Sequence, residues 1–307
     1  MRAKLAAANE GISEANLDIL EDAYWTNWEP ACPYVRNGQC CDASNGFCCG
    51  TAKQGDGGGD PHFRRWDQKH DTFHGECDLV LAHSDNFLHG AGFDFHARTT
   101  IHSYFSFIET AAVRVGESVM EFYSDHFLVN GEMYGPQDLP LIIESDVKLL
   151  VTDYVEANKP TKNHQNYQIH MGGSSSIMLK FYKQFMTYKI LGEARDFGDS
   201  VGLLGDYHSG NMVGRDGRIM DDFEQFAFEW QVNPVVDTRL FLEAREPQLP
   251  YEQCRMPTAA RPSRRKLRAK NDGLFEEAQK ACAHASSVQL CIDDVMMTGD
   301  IGFAQTW

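Results

Sequence analysis

The sequence predicts an all-β chain, built as an antiparallel β-sandwich. Three observations carry that prediction. Short apolar runs with a two-residue period recur from His62 to about position 235, and each is bounded by turn residues. Gly116-Glu117 and Asn130-Gly131 sit between such runs with the residue types that two-residue hairpins require. Over the same span the apolar residues lack a 3.6-residue period.

Taken in order, residues 12–28 place Ile12, Leu17, Leu20, Tyr24 and Trp28 on one side of an amphipathic helix, with Ser13 near its start. Residues 29–54 are rich in cysteine. Cys32, Cys40, Cys41, Cys48 and Cys49 fall in a stretch too short for an apolar core, so covalent staples are expected to hold it. Disulfides in an oxidising compartment explain this cluster better than a zinc knuckle, because no paired Cys-x2-Cys spacing is present. Gly55 to Gly59 reads as a flexible joint, which places a domain boundary at 55.

Asp60-Pro61 then fixes an extended entry. A short strand, 62–66, is expected to turn through Asp67-Gln68-Lys69-His70 into one long strand. In that strand Phe73, Cys77, Leu79 and Leu81 face a core, and His74, Glu76 and Asp78 face water. Further strands are predicted at 93–101, 112–115, 118–123, 127–134, 149–155 and within 177–190. After Pro234, residues 236–272 read as an irregular linker with a basic run, Arg261 to Arg268, which suits either a solvated connection or a dibasic processing site. In 273–307, Leu274, Phe275, Ala278 and Cys282, then Val288, Cys291, Ile292 and Val295, predict two short helices stapled by Cys282 and Cys291.

Gly59-Asp60-Pro61-His62-Phe63, Trp66-Asp67 and Phe73-x-Gly75-x-Cys77-x-x-x-Leu81 resemble the opening of a von Willebrand factor type D domain. Gly202-Leu203-Leu204-Gly205-Asp206-Tyr207, Arg215-Asp216-Gly217 and Phe226 to Val232 resemble its closing block, which the resemblance ends with a tryptophan-bearing strand. The resemblance implies an extracellular β-sandwich, and the trimmed flanks are most similar to algal or other protist versions. It also implies a cysteine partner for Cys77 in the second block. Leu204 stands there, so Cys254 becomes the first candidate. Nine cysteines leave at least one over, free or linked to another chain.

The resemblance further implies Ca²⁺ in the loop 206–222, held by Asp206, Asn211, Asp216, Asp221 and Asp222, with Asp60 joining if the two ends of the domain meet. His208 stands where an aspartate is usual. An ordinary polar turn with aspartates capping backbone N–H groups uses the same residues. Some members with this opening motif cut themselves at the Asp–Pro bond in acid. Asp60, Pro61 and His62 would then be the reacting group, the leaving nitrogen and an assisting acid. His62, His70, His74 and Cys77 do not read as a zinc site, because 70 and 74 share the strand face opposite Cys77.

A net charge of −16, from 44 acidic and 28 basic residues, argues against a nucleic-acid partner. No apolar run is long enough to span a bilayer, and no Asn-x-Ser/Thr glycosylation site is present. The first residues lack a signal-peptide core, so an extracellular chain would be a processed product or part of a longer one. The expected function is a non-catalytic structural or adhesive module at the cell surface or in a matrix, partnered by further copies or by other extracellular or cell-wall proteins. Self-cleavage at Asp60-Pro61 and the binding of a lipid or small ligand are the alternatives. The latter needs a continuous apolar cavity inside the sandwich.

Overall fold

In the computed structural model, the residues described are 34–36, 39–41, 52–153, 164–172, 175–244, 254–260, 262–263, 267, 272–285 and 287–307. The helix expected at 12–28, most of the cysteine-rich segment and most of the basic run lie outside them. Strands β1 (Tyr34–Arg36) and β2 (Gln39–Cys41) form a small antiparallel pair.

Two antiparallel sheets make the body, as the alternating pattern requires. The eight-stranded sheet contains β3 (Lys53–Gly58), β4 (His62–Arg64), β5 (His70–Thr72), β12 (Leu141–Glu144), β13 (Lys148–Asp153), β14 (His164–His170), β15 (Ser176–Tyr182) and β16 (Phe185–Gly192). Their order is β12-β13-β14-β15-β16-β3-β4-β5. The six-stranded sheet contains β6 (Asp78–Ser84), β7 (Phe93–His102), β8 (Phe105–Val115), β9 (Ser118–Phe122), β10 (Phe127–Val129) and β11 (Glu132–Tyr134), in the order β11-β10-β9-β8-β7-β6.

Aromatic rings fill the space between the sheets. Phe95 meets Tyr188 edge-on at 5.1 Å, and Phe122 meets Tyr167 at 5.2 Å, each pair joining one sheet to the other. Each such side chain, fully buried, contributes about 2–3 kcal/mol. The hairpin signals act as their chemistry dictates. Gly116 takes φ +58° between paired Val115 and Ser118. Asn130 and Gly131 both take positive φ between Val129 and Glu132, the condition for a type I′ turn.

Three expectations are corrected. The glycine run read as a joint is β3, paired with β16 on one side and β4 on the other. Its glycines make room for neighbours: a Cβ on Gly57 would lie 2.6 Å from the Tyr188 ring, and one on Gly58 2.3 Å from Thr187. Composition suggested flexibility where close packing was the cause. The single long strand after the polar turn is two strands. β5 stays in the larger sheet, residues 73–77 cross over, and β6 begins the smaller one. Burial on both sides of that crossing mimics one alternating face. Finally, Phe226–Val232 is not a strand. Helix α3 (Phe223–Glu229) occupies most of it, after the one-turn helices α1 (Phe87–Gly90) and α2 (Ala194–Phe197). Asp222 caps α3 by accepting from the Gln225 N–H at 2.8 Å.

The opening and closing blocks meet on β6. Leu203 and Leu204 donate their N–H groups to Val80 and Leu81, and Val80 and Val232 donate theirs to Trp230 and Asp78. Trp66 donates its backbone N–H to Leu204. Cys77 pairs with Cys254 across 177 positions, and Cys282 pairs with Cys291. Arg98 holds Asp78 through two hydrogen bonds of 2.7 and 2.8 Å and also donates to the Glu243 carbonyl. The segment after the sandwich is thus fastened back onto it.

The C-terminal hairpin, α4 (Asp272–Ala281) and α5 (Val288–Thr298), caps one end of both sheets. Phe105 and Phe107 of β8, with Tyr182 and Phe185 at the β15–β16 turn, share an apolar cluster with Ala278, Ile292, Val295 and Phe303. No helix among the described residues is long and apolar enough to cross a membrane.

Candidate functional site

Helix α5 carries two adjacent acids, Asp293 and Asp294, inside an otherwise apolar stretch. Docking the helix on the sheet end buries Asp294 and directs it at the turn between β3 and β4. There Gly59 takes φ +66° so closely that a Cβ would lie 1.9 Å from the Asp294 carboxylate. Gly59 is therefore required by contact as well as by backbone geometry.

Four titratable groups meet at this turn. Asp294 Oδ1 accepts from the Asp60 backbone N–H at 3.3 Å and stands 3.4 Å from His62 Nε2. Asp294 Oδ2 accepts from Trp307 Nε1–H at 2.9 Å. His62 Nδ1 lies 2.7 Å from Thr72 Oγ1 across the β4–β5 pair. His74 Nδ1 lies 2.8 Å from Asp60 Oδ1. Asp60 and His62 are 2% and 5% exposed, and the Asp294 residue is 1% exposed. Burial pushes the Asp294 carboxyl above the usual carboxylate range, and the neighbouring His62 opposes that shift. Among the described residues, Asp60, His62 and Asp294 are the group of acids and histidines whose ligand atoms all lie within 4.8 Å of one another.

Beside them, on the outer face of the eight-stranded sheet, lies a cavity of about 180 Å³. Gly58, His62, Arg64, His70, Lys180 and Trp307 are among the residues that line it. Its lining is mixed and polar, whereas the space between the sheets is occupied by packed rings.

The loop 206–222 is arranged otherwise. Asp206 accepts from the Ser209 N–H and hydroxyl at 2.7 and 2.5 Å, which holds its carboxyl below the usual range although burial opposes this. Asp216 is bound to Arg218, and Asp222 caps α3. Asp221 is exposed. Asn211 donates its backbone N–H to Ser209 Oγ. No three acids or histidines of this loop converge among the described residues, and its carboxylates are engaged locally as turn and helix caps or with Arg218. The two ends of the domain do meet here, but through Arg65 Nη1, which donates to the Gly210 carbonyl at 2.6 Å, and through Asp67 packed on Gly210. Asp60 joins α5 instead.

His62, read from the sequence as an assisting acid, thus has Asp294 as its neighbour, 232 positions away. Sequence reasoning missed that residue. The available signal was an acid between Ile292 and Val295 on the buried face of a helix. No protein-family model matches this chain, and no curated protein matches it.

Proposed function

We propose that this chain is an extracellular, non-catalytic structural module whose closed sandwich carries load within a cell-surface, matrix or filament protein. The observation that supports this reading is the Cys77–Cys254 bond, which closes a loop of 177 positions that contains strands β6 to β16. It joins the residue just before the first strand of the smaller sheet to the segment beyond the last helix of the body, so β6 to β16 lie inside the closed loop and are shielded from tension on the flanks, while β3 to β5 lie outside it. The resemblance of the two blocks to type D domains points the same way. So does the odd cysteine count, which leaves a thiol for linkage to another copy or another matrix protein.

The test is secretion of the chain from a eukaryotic host, followed by non-reducing peptide mapping and alkylation of free thiols. A structural module gives quantitative 77–254 and 282–291 bonds, with a disulfide-linked oligomer or one residual thiol. A secreted, folded chain with Cys77 and Cys254 both free rejects the reading.

A second reading has one specific observation in its favour. In self-cleavage at Asp60-Pro61, the Asp60 side chain attacks its own carbonyl carbon, the Pro61 nitrogen leaves with a proton, and water opens the cyclic anhydride. His74 within 2.8 Å of the Asp60 carboxylate fixes the attacking group, and Asp294 on the Asp60 N–H holds that residue's backbone from the other side of the turn. Incubation at mildly acidic pH would give fragments 1–60 and 61–307 by intact mass, absent in Asp60→Glu. An unchanged mass removes this reading.

A further inference from the structure

The turn that receives α5 has the construction of a metal site. Three donors from two distant segments, Asp60, His62 and Asp294, bring ligand atoms within 4.8 Å of one another in a buried position. The rear side of each is already engaged. His62 Nδ1 contacts Thr72 Oγ1, which fixes the ring with Nε2 directed inward. Trp307 Nε1–H holds the outer oxygen of Asp294, and His74 holds Asp60. Such partners orient and tune metal ligands in proteins.

The inward nitrogen of His62 is less well served. His62 Nε2 is buried and makes no hydrogen bond among the described residues, and it stands at an ion-pair distance of 3.4 Å from Asp294 Oδ1. Tetrahedral coordination with bonds of about 2.0 Å separates neighbouring ligand atoms by about 3.3 Å. The His62 Nε2–Asp294 Oδ1 separation of 3.4 Å matches that value, and Asp60 lies within 4.8 Å of both.

We infer that Asp60, His62 Nε2 and Asp294 bind a divalent transition-metal ion of the Zn²⁺ type, with a fourth position towards the cavity that His62 and Trp307 line. The ligand chemistry selects the ion. An imidazole nitrogen with two carboxylates suits Zn²⁺, while Ca²⁺ takes oxygen donors in larger number. The cavity gives an entry path. The ion joins β4 to α5 and so fastens the C-terminal hairpin to the sandwich where no disulfide does. In this respect the site complements the Cys282–Cys291 bond, which closes the hairpin only on itself.

The test uses the full chain, dialysed against chelator and with free thiols alkylated so that cysteines cannot take up metal. It is titrated with Zn²⁺ by calorimetry and with Co²⁺ by visible absorption. One equivalent is expected, with a Co²⁺ spectrum of tetrahedral intensity and a raised Tm. His62→Gln and Asp294→Asn lose Zn²⁺ affinity by 100-fold or more. Thr72→Ala keeps all three donors and loses about tenfold, so it remains informative if the ligand variants fail to fold. Absence of uptake by the parent chain, or affinity unchanged in His62→Gln and Thr72→Ala, overturns the inference.

Discussion

Removing Cys77–Cys254 should cost this protein more than removing Cys282–Cys291. The bond closes 177 positions, whereas Cys282–Cys291 closes 9. Loop-closure entropy in the unfolded chain gives about 5 kcal/mol for the first and about 2.5 kcal/mol for the second. All four cysteines are 4% exposed or less, so the packing lost on truncation to alanine nearly cancels between the two pairs. Domains of this kind have about 5–15 kcal/mol in total, so the longer bond amounts to a large share of the margin. Urea unfolding followed by tryptophan fluorescence measures both variants. Cys77→Ala/Cys254→Ala is expected to lose about 3–5 kcal/mol, and Cys282→Ala/Cys291→Ala about half that. Equal losses, or a smaller loss for the longer loop, would refute the closure argument.

Two further perturbations probe other parts of the fold. Asp196 is buried, accepts from Ser175 Oγ at 2.6 Å, and is lifted to about 7 by loss of hydration. Unfolded, it titrates near pH 4, so between about pH 4 and pH 7 the native chain holds a proton that the unfolded chain has released. Stability then falls as pH rises through that window, by at most about 1.4 kcal/mol per unit, and this component levels off above it. In Asp196→Asn that slope should vanish from unfolding curves at pH 4.5, 5.5 and 6.5, and identical slopes in parent and variant contradict the assignment. Gly202 takes φ +121°, and a Cβ there would lie 2.6 Å from the Leu81 carbonyl oxygen. Gly202→Ala should therefore cost about 2–4 kcal/mol, visible as a lowered Tm, and a change within about 0.5 kcal/mol would mean that the loop does not press on β6.

Much of this architecture is legible in the sequence because its signals are local. Gly116 and Asn130-Gly131 each fix φ and register within a few residues. The stapled helices follow from apolar spacing around Cys282 and Cys291. The Cys77–Cys254 pairing was reachable only by way of the resemblance and the leucine at 204. What was illegible depends on distant neighbours. Gly57 looks like a joint until Tyr188 is placed over it. Residues 73–77 continue an alternating pattern although the chain changes sheets there, because both sheets bury the same kinds of side chain. Phe226 to Val232 carries rings that suit a strand, yet the Asp222 cap and the burial of Phe226 and Ala227 settle it as a helix. At the candidate site, His62 and Asp60 were singled out from the motif. Asp294 lies on another element, and no local pattern connects it to them.

The central claim is that the long-range disulfide encloses strands β6 to β16, so that force on the flanks does not unravel that part of the sandwich. Single-molecule extension of the whole chain, pulled from its two ends with and without reductant, tests this directly. At about 3.6 Å per residue, the 177 enclosed positions represent about 640 Å of chain that stays hidden while the bond is intact. The account predicts that roughly this length appears only after reduction. Release of the same contour length under both conditions would contradict it.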